Sequence, residues 1–409
     1  MRTAHAAHVL WPLCAIAGGT AARAAEWDLS LDVRAIESTG RRSFLEGGQG
    51  KFRFDEEHEG VRLGRLRGSW TQPLHATLAA HLDASAWGNH DKSFVDLTEA
   101  YLEYRPRLRA ELGARVRLGA FFPPASLENR ASGWGTPYSL TPSAISSWIG
   151  EEIRAIGLEA QINWLGTERG QPFDLQLTGG VFGWNDPAGS QIAAHGFAFH
   201  DRQTTLFGRI GEPVAETAPK KEPFHEIDGH AGFYVGGQAR YSDYVVVNLF
   251  HYDNRADPTA FAPSLRGLAW ETRFDVAALS VATDTGWSAL AQWLSGETYI
   301  APRGMRREWE FHSYSALLAK TWGPHLLSVR YDGFEVELEP ANAPGNEQGH
   351  AWALAYSLEQ GQYWRFTLEW LRVRSDVASR PVRVGEPTLA HETKVELGVR
   401  YALSGALQR

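Results

Sequence analysis

Residues 121–154 read FFPPASLENRASGWGTPYSLTPSAISSWIGEEIR and interrupt a pattern that holds on both sides of them. Before them Leu112, Ala114, Val116, Leu118 and Ala120 alternate with polar or glycine neighbours, and after them Ile156, Leu158, Ala160, Ile162 and Trp164 do the same. A period of two marks a strand with one apolar face. Inside the stretch neither that period nor the 3.6 of a helix is kept, and Pro123, Pro124, Pro137 and Pro142 argue against a long regular element. Phe121, Phe122, Trp134, Tyr138, Ile145, Trp148 and Ile149 are residue types that pack, which disfavours disorder. A structureless loop of about 30 residues is uncommon unless it is functional. The reading is an ordered loop folded into something hollow.

Outward from this loop the alternation runs along the whole chain. Trp27, Leu29, Leu31, Val33 and Ala35 share one face of a first strand, with Asp28, Ser30, Asp32 and Arg34 on the other. Leu78, Ala80, Leu82 and Ala84 oppose His81, Asp83 and Ser85 further on, after a tight turn read at residues 72–74. Sixteen such segments are counted, from 27–36 through 109–121 and 152–165 to 391–404. Every second connection is short, as at Pro73, Pro106, Gly323-Pro324 and Gln360-Gly361; most of the others are long, notably 37–59, 122–151 and 185–228. An even number of strands joined by alternating short turns and long loops is the pattern of an outer-membrane barrel. The fold class expected is therefore all-β: a transmembrane antiparallel β-barrel of about 16 strands, with a long third loop folded into the lumen.

Composition agrees. Sixteen Trp, 19 Phe, 13 Tyr and 41 Gly beside only two Met are strand, turn and membrane-interface residues. No run after the N-terminus approaches the apolar length of a membrane helix. Residues 1–24 read as a signal peptide, with Arg2, an apolar run over 9–19 and an Ala22-Arg23-Ala24 cleavage motif, which leaves 25–409 as the barrel. The only cysteine, Cys14, lies in that segment, so disulfides and thiolate metal sites are excluded from the mature chain. Loss of Arg2 and Arg23 takes the net charge from −8 to −10, which disfavours nucleic acid as a partner.

Catalytic motifs are absent, and three clusters stand as weaker candidates. Asp55-Glu56-Glu57-His58-Glu59 offers cation ligands at a lipopolysaccharide surface; His225, Glu226, Asp228 and His230 have metal-ligand types without a recognised spacing; His195, His200 and Asp201 would suit an outer-membrane hydrolase. The barrel wall carries more. By alternation Arg34, Arg65, Arg67, Arg115 and Arg117 face inward with Asp83, Glu99, Glu103 and Glu111. The interior of sixteen strands is too wide for wall side chains to fill and is expected to hold water.

In strand number, signal peptide and the long ordered loop between strands five and six, the chain resembles the Gram-negative general porins. The runs FFPPASLEN (121–129) and SWIGEE (147–152) are similar to those of proteobacterial porin-like proteins. Two departures stand out: the C-terminus ends beyond Tyr401 without a terminal Phe, and six lysines are too few for a lysine-lined phosphate pore. The resemblance implies passive diffusion of small hydrophilic solutes and ions, no cofactor, contact with outer-membrane lipid and lipopolysaccharide, and a homotrimer. It also implies a constriction where loop residues Glu128, Asn129, Arg130, Glu151, Glu152 and Arg154 face wall residues Arg65, Arg67, Arg115, Arg117 and Glu99. With the acids of the loop beside that wall, a weak cation preference is expected. A substrate-specific channel, an outer-membrane hydrolase and a barrel plugged by 185–228 remain open alternatives.

Overall fold

The computed structural model describes residues 24–88, 95–209, 222–262, 267–339 and 345–407. The signal-peptide segment lies outside them, apart from residue 24. Sixteen strands close into one antiparallel barrel: β1 (Ala25–Ser38), β2 (Gly60–His75), β3 (Leu78–Trp87), β4 (Asp96–Tyr104), β5 (Leu112–Phe121), β6 (Ala155–Leu165), β7 (Phe173–Gly183), β8 (Gly232–Tyr241), β9 (Val245–Asp253), β12 (Glu271–Ala282), β13 (Trp287–Ile300), β14 (Arg307–Trp322), β15 (His325–Glu339), β16 (Glu347–Gln360), β17 (Trp364–Val377) and β18 (Leu389–Leu407). β10 (Phe261–Ala262) and β11 (Gly267–Leu268) form a separate small hairpin between β9 and β12. Closure is by β1, which pairs with β2 on one side and with β18 on the other from Ala25↔Leu407 to Ser38↔Lys394. Among the described residues the barrel sheet has no open edge, so its strands are paired all round the wall, as lipid requires.

The two faces of the wall differ. Outward residues such as Leu29, Leu158, Ile162, Leu177, Leu249 and Leu354 are exposed. Each keeps about half of its surface in contact with its surroundings and would gain on the order of 1 kcal/mol on moving that surface from water to an apolar phase, so a barrel with many such residues belongs in a bilayer. Trp164 and Phe173, with ring centroids 5.2 Å apart, and Trp364 and Tyr401, 4.6 Å apart, mark an aromatic girdle beside the short turns.

Three local readings need correction. The first tight turn is not at 72–74: β2 continues to His75, and Pro73 sits at a register shift between β2 and β3, where its missing N–H interrupts no regular ladder. Residues 144–152 are a helix, α1 (Ala144–Glu152), capped by the Ser143 side chain accepting from the Ser146 N–H at 3.3 Å. Every residue of α1 is buried, so it carries no apolar stripe and shows no 3.6 period. The following strand accordingly starts at Ala155 rather than 152.

The wall is not lined by polar residues alone. A large apolar cluster unites Trp148 and Ile149 of α1, Ile192 of α2 (Ser190–His195), and Phe52, Phe197 and Phe199 with the buried face of β8 to β17. Trp148 lies 5.0 Å, centroid to centroid, from both Phe274 and Phe311. Connecting segments 39–59, 122–154 and 184–209 each contribute buried side chains, such as Phe52, Trp148 and Phe199, to this cluster.

Candidate functional site

A polar cavity of about 90 Å³ is lined by residues of β1, β2, β17 and β18 and of the connecting segments 122–154 and 184–209. Its lining includes Arg34, Arg65, Arg67, Arg202, Arg365 and Arg400 against two acids, Asp32 and Asp201. Pairing across strands explains the concentration of charge: Arg365↔Arg400, Arg400↔Asp32 and Asp32↔Arg65 stand in register on four neighbouring strands.

The arginines differ in how they are held. Arg34 reaches Asp32 at 3.0 Å, Asp201 at 2.6 Å and Glu396 at 3.5 Å. Asp201 also takes Arg53 at 3.0 Å, and the two guanidiniums hold its carboxyl well below the usual range despite burial. Arg67 donates to Asp83 at 2.7 Å, to Ser132 at 2.8 Å and to Asp28. Arg65 donates to the Ser85 hydroxyl at 2.8 Å, the Gly133 carbonyl at 3.0 Å and Gln203 at 3.1 Å. Gly133, at φ +64°, permits this close approach: a Cβ there would lie 2.2 Å from Arg67 Nε.

Of the loop residues expected at a constriction, only Asn129 lines the cavity, with its amide donating to the Trp134 carbonyl at 2.9 Å. Glu128 is turned to the opposite side, where it accepts from Ser143 Oγ at 2.6 Å and Gln292 at 3.3 Å and faces Arg330 at 3.4 Å. Glu151 lies buried between His200 and His195, at 3.4 and 3.7 Å. Glu152 is fully buried and accepts from Trp148 Nε1 (2.6 Å), Gln191 N (2.9 Å), Ser190 Oγ (3.0 Å) and Gly189 N (3.2 Å). Arg154 lies over the Phe122 ring and donates to the Thr204 carbonyl at 2.8 Å; burial pushes its pKa down to about 9. Arg130 is exposed and outside the cavity lining. The acids of the loop fasten loop to loop and loop to wall, because full burial leaves a carboxylate no alternative to dense hydrogen bonding.

Among the wall residues, Arg65 and Arg67 line the cavity. Arg115 and Arg117 do not: both serve Glu159, at 3.1 and 2.8 Å, with Tyr234 Oη completing that network at 2.9 Å. Glu99 accepts from the Phe122 N–H at 3.0 Å, fixing the start of the loop. Reading by residue missed Arg365 and Arg400, although the alternation Phe366, Leu368, Trp370 outward places Arg365, Thr367 and Glu369 inward by the same rule.

The weaker clusters resolve as follows. Asp55 caps a short turn, accepting from Glu57 N at 3.0 Å and lying 2.6 Å from His58. Glu226 and Asp228 join Asp186 in a group of carboxylates within 4.8 Å of one another, while His225 and His230 stand beside Glu222 and Asp228. Backbone N–H groups already occupy Asp186 Oδ2, from Ile227 and from Asp228 at 2.5 and 3.3 Å. His195 and His200 pack on Phe44, and the Ser147 hydroxyl bonds the His200 main chain, not its imidazole. Burial lowers the His195 pKa to about 4, so it is neutral at pH 7.

By sequence, no protein-family model and no curated protein matches the chain. By structure it is similar to OmpF of Salmonella typhi (TM-score 0.55, 7% identity, 93% of this chain and 98% of that chain). The outer membrane channel DcaP of Acinetobacter baumannii gives a TM-score of 0.54 at 9% identity, over 93% and 96% of the two chains. OmpT, an outer membrane protein of Vibrio cholerae, in its trimer form gives 0.53 at 10% identity, over 93% and 100%. These likenesses are of fold. Together with the closed sixteen-stranded wall and its apolar outer face, they define an outer-membrane β-barrel with the porin fold.

Proposed function

We propose that the chain, after removal of residues 1–24, is an outer-membrane porin that lets small hydrophilic solutes and ions diffuse through a water-filled path. Residues 122–154 lie within the lumen in this reading and confine the path to the side of β1, β2, β17 and β18. The observation that carries it is the polar, arginine-lined cavity beside β1, β2, β17 and β18. Hydrogen bonds from the segment to wall side chains support the placement of the loop, as from Leu140 N and Thr141 N to Glu369, at 2.8 and 3.0 Å.

A narrow path also favours the second reading, a substrate-specific channel, because lining groups discriminate most where the radius is smallest. The plugged-barrel reading predicts no conductance at all. In this reading an anion preference replaces the cation preference expected from the sequence, because six arginines and two aspartates line the cavity while Glu128 and Glu152 are hydrogen-bonded elsewhere. Planar-bilayer recording of the purified protein is expected to give small conductance steps, with a reversal potential in a KCl gradient on the anion-selective side. Absence of steps would sink the diffusion reading. The porin-like wall suits a homotrimer, and light scattering in mild detergent would refute it by returning a monomer mass.

A further inference from the structure

Two of the six cavity arginines have almost no counter-charge. Arg365 and Arg400 stand directly across from each other on β17 and β18. Like charges in such a cross-strand pair repel. Arg365 donates to the Ser357 hydroxyl at 3.0 Å and to the Pro137 carbonyl, both neutral; its nearest acid, Glu359, is 3.8 Å away and largely in solvent. Among the described residues the Arg400 guanidinium has no hydrogen bond and no ion pair. The acids that lie closest in register or in the cavity are committed to other cations: Asp32 to Arg34, Asp201 to Arg34 and Arg53, and Glu396 to Arg34 and Lys394.

Arg365 also sits one residue from the start of β17, at the short-turn end of the barrel. Gly398 lets the Leu140 side chain pack against the wall beside the pair, since a Cβ there would lie 2.7 Å from Leu140 Cδ2, and the cavity next to it is edged by Thr136, Ser139 and Thr367. Planar guanidinium donors in excess of carboxylates, with hydroxyls beside them, match an oxyanion and do not match a neutral sugar or a cation.

We propose that Arg365 and Arg400 form a seat for a small oxyanion, a carboxylate or phosphate, on the path through the barrel. The inference rests on the porin reading for its role in transport, but the seat itself is a binding site and is testable apart from conduction.

The test uses the whole purified protein in planar bilayers at about 0.1 M KCl, where charges act over about 10 Å. Sodium phosphate and sodium benzoate are added in separate arms. Each bound oxyanion is expected to reduce the chloride current with a saturating concentration dependence. Block by phosphate alone assigns a tetrahedral oxyanion, block by benzoate alone assigns a carboxylate, and block by both assigns a seat that takes either. Arg400→Gln breaks no bond of the fold and is expected to raise the half-blocking concentration at least about tenfold, as loss of one charge-assisted hydrogen bond requires. Arg365→Gln should do the same, and Arg306→Gln, on an exposed loop, should not. Conducting variants that block at the wild-type concentration overturn the seat. If the wild type does not conduct, the porin reading fails, and calorimetric titration of the two anions into detergent-solubilised protein decides the seat: binding weakened by Arg400→Gln supports it, and no binding or unchanged binding overturns it.

Discussion

Glu152 shows how one side chain can hold two segments together. It stands at the end of α1 and takes four hydrogen bonds, three of them from residues 189–191, so the third loop and the segment carrying α2 meet on its carboxylate. Burial and the neighbouring Glu151 nevertheless raise its pKa to about 7. The sign follows from proton counting: between about 4.5 and 7 the folded state binds more protons than the unfolded one, so the contribution is present at low pH and is lost as pH rises through 7. The shift is worth on the order of 3 kcal/mol locally. Amide exchange at Gln191, corrected for intrinsic rate, is expected to lose protection between pH 5 and about 8 in the native protein. Glu152→Gln should flatten that dependence; a dependence unchanged in the variant would assign the titration to another group. Nothing in the sequence around Glu152 marks this role, since an acid three residues before a strand reads equally well as a solvent-facing charge, and three of its four partners lie 37 to 39 residues away.

At the scale of elements, the strands were legible and the helix was not, for one physical reason. A strand in this wall has one face in lipid and one turned inward, so its sequence alternates whatever covers the inner face. α1 is enclosed on all sides, and Ala144, Ser146, Ser147 and Gly150 are small enough to let it be so, which removes the contrast that a period needs. Pro142 and Ser143 did carry a signal, as residues suited to the position just before a helix. Trp148 is the anchor of the element: its ring lies against Phe274 and Phe311, and its Nε1 donates to Glu152. Trp148→Ala removes a buried aromatic, a loss of about 3–5 kcal/mol. Because the wall is independently closed, the expected consequence is a loosened α1 in an intact barrel. Single-channel conductance should rise, with larger current noise. An unchanged conductance would mean that α1 does not limit the path.

For the whole molecule, the same alternation that reveals the count conceals the contents. The inward face of β8 to β17 carries Phe250, Phe274, Leu294, Phe311 and Phe334, residues no different in kind from those facing lipid, so apolar character alone does not say that a loop packs there. The closed wall does make one global property testable. Antiparallel pairing of successive strands puts both chain ends and all the short turns at one end, and the long segments at the other. If the barrel sits as outer-membrane barrels do, the short-turn end is periplasmic. The sequence has no cysteine beyond Cys14, so with residues 1–24 removed, as proposed, or with Cys14 replaced by Ser, single cysteines report without background. Glu168, exposed in the turn between β6 and β7, and Arg306, exposed before β14, mark the two ends. Arg306→Cys is expected to react with a membrane-impermeant maleimide on intact Gram-negative cells. Glu168→Cys should react only after the outer membrane is permeabilised. Labelling in the opposite order would invert the barrel and place the Arg365–Arg400 pair at the outer mouth, where it would meet an anion on entry instead of release.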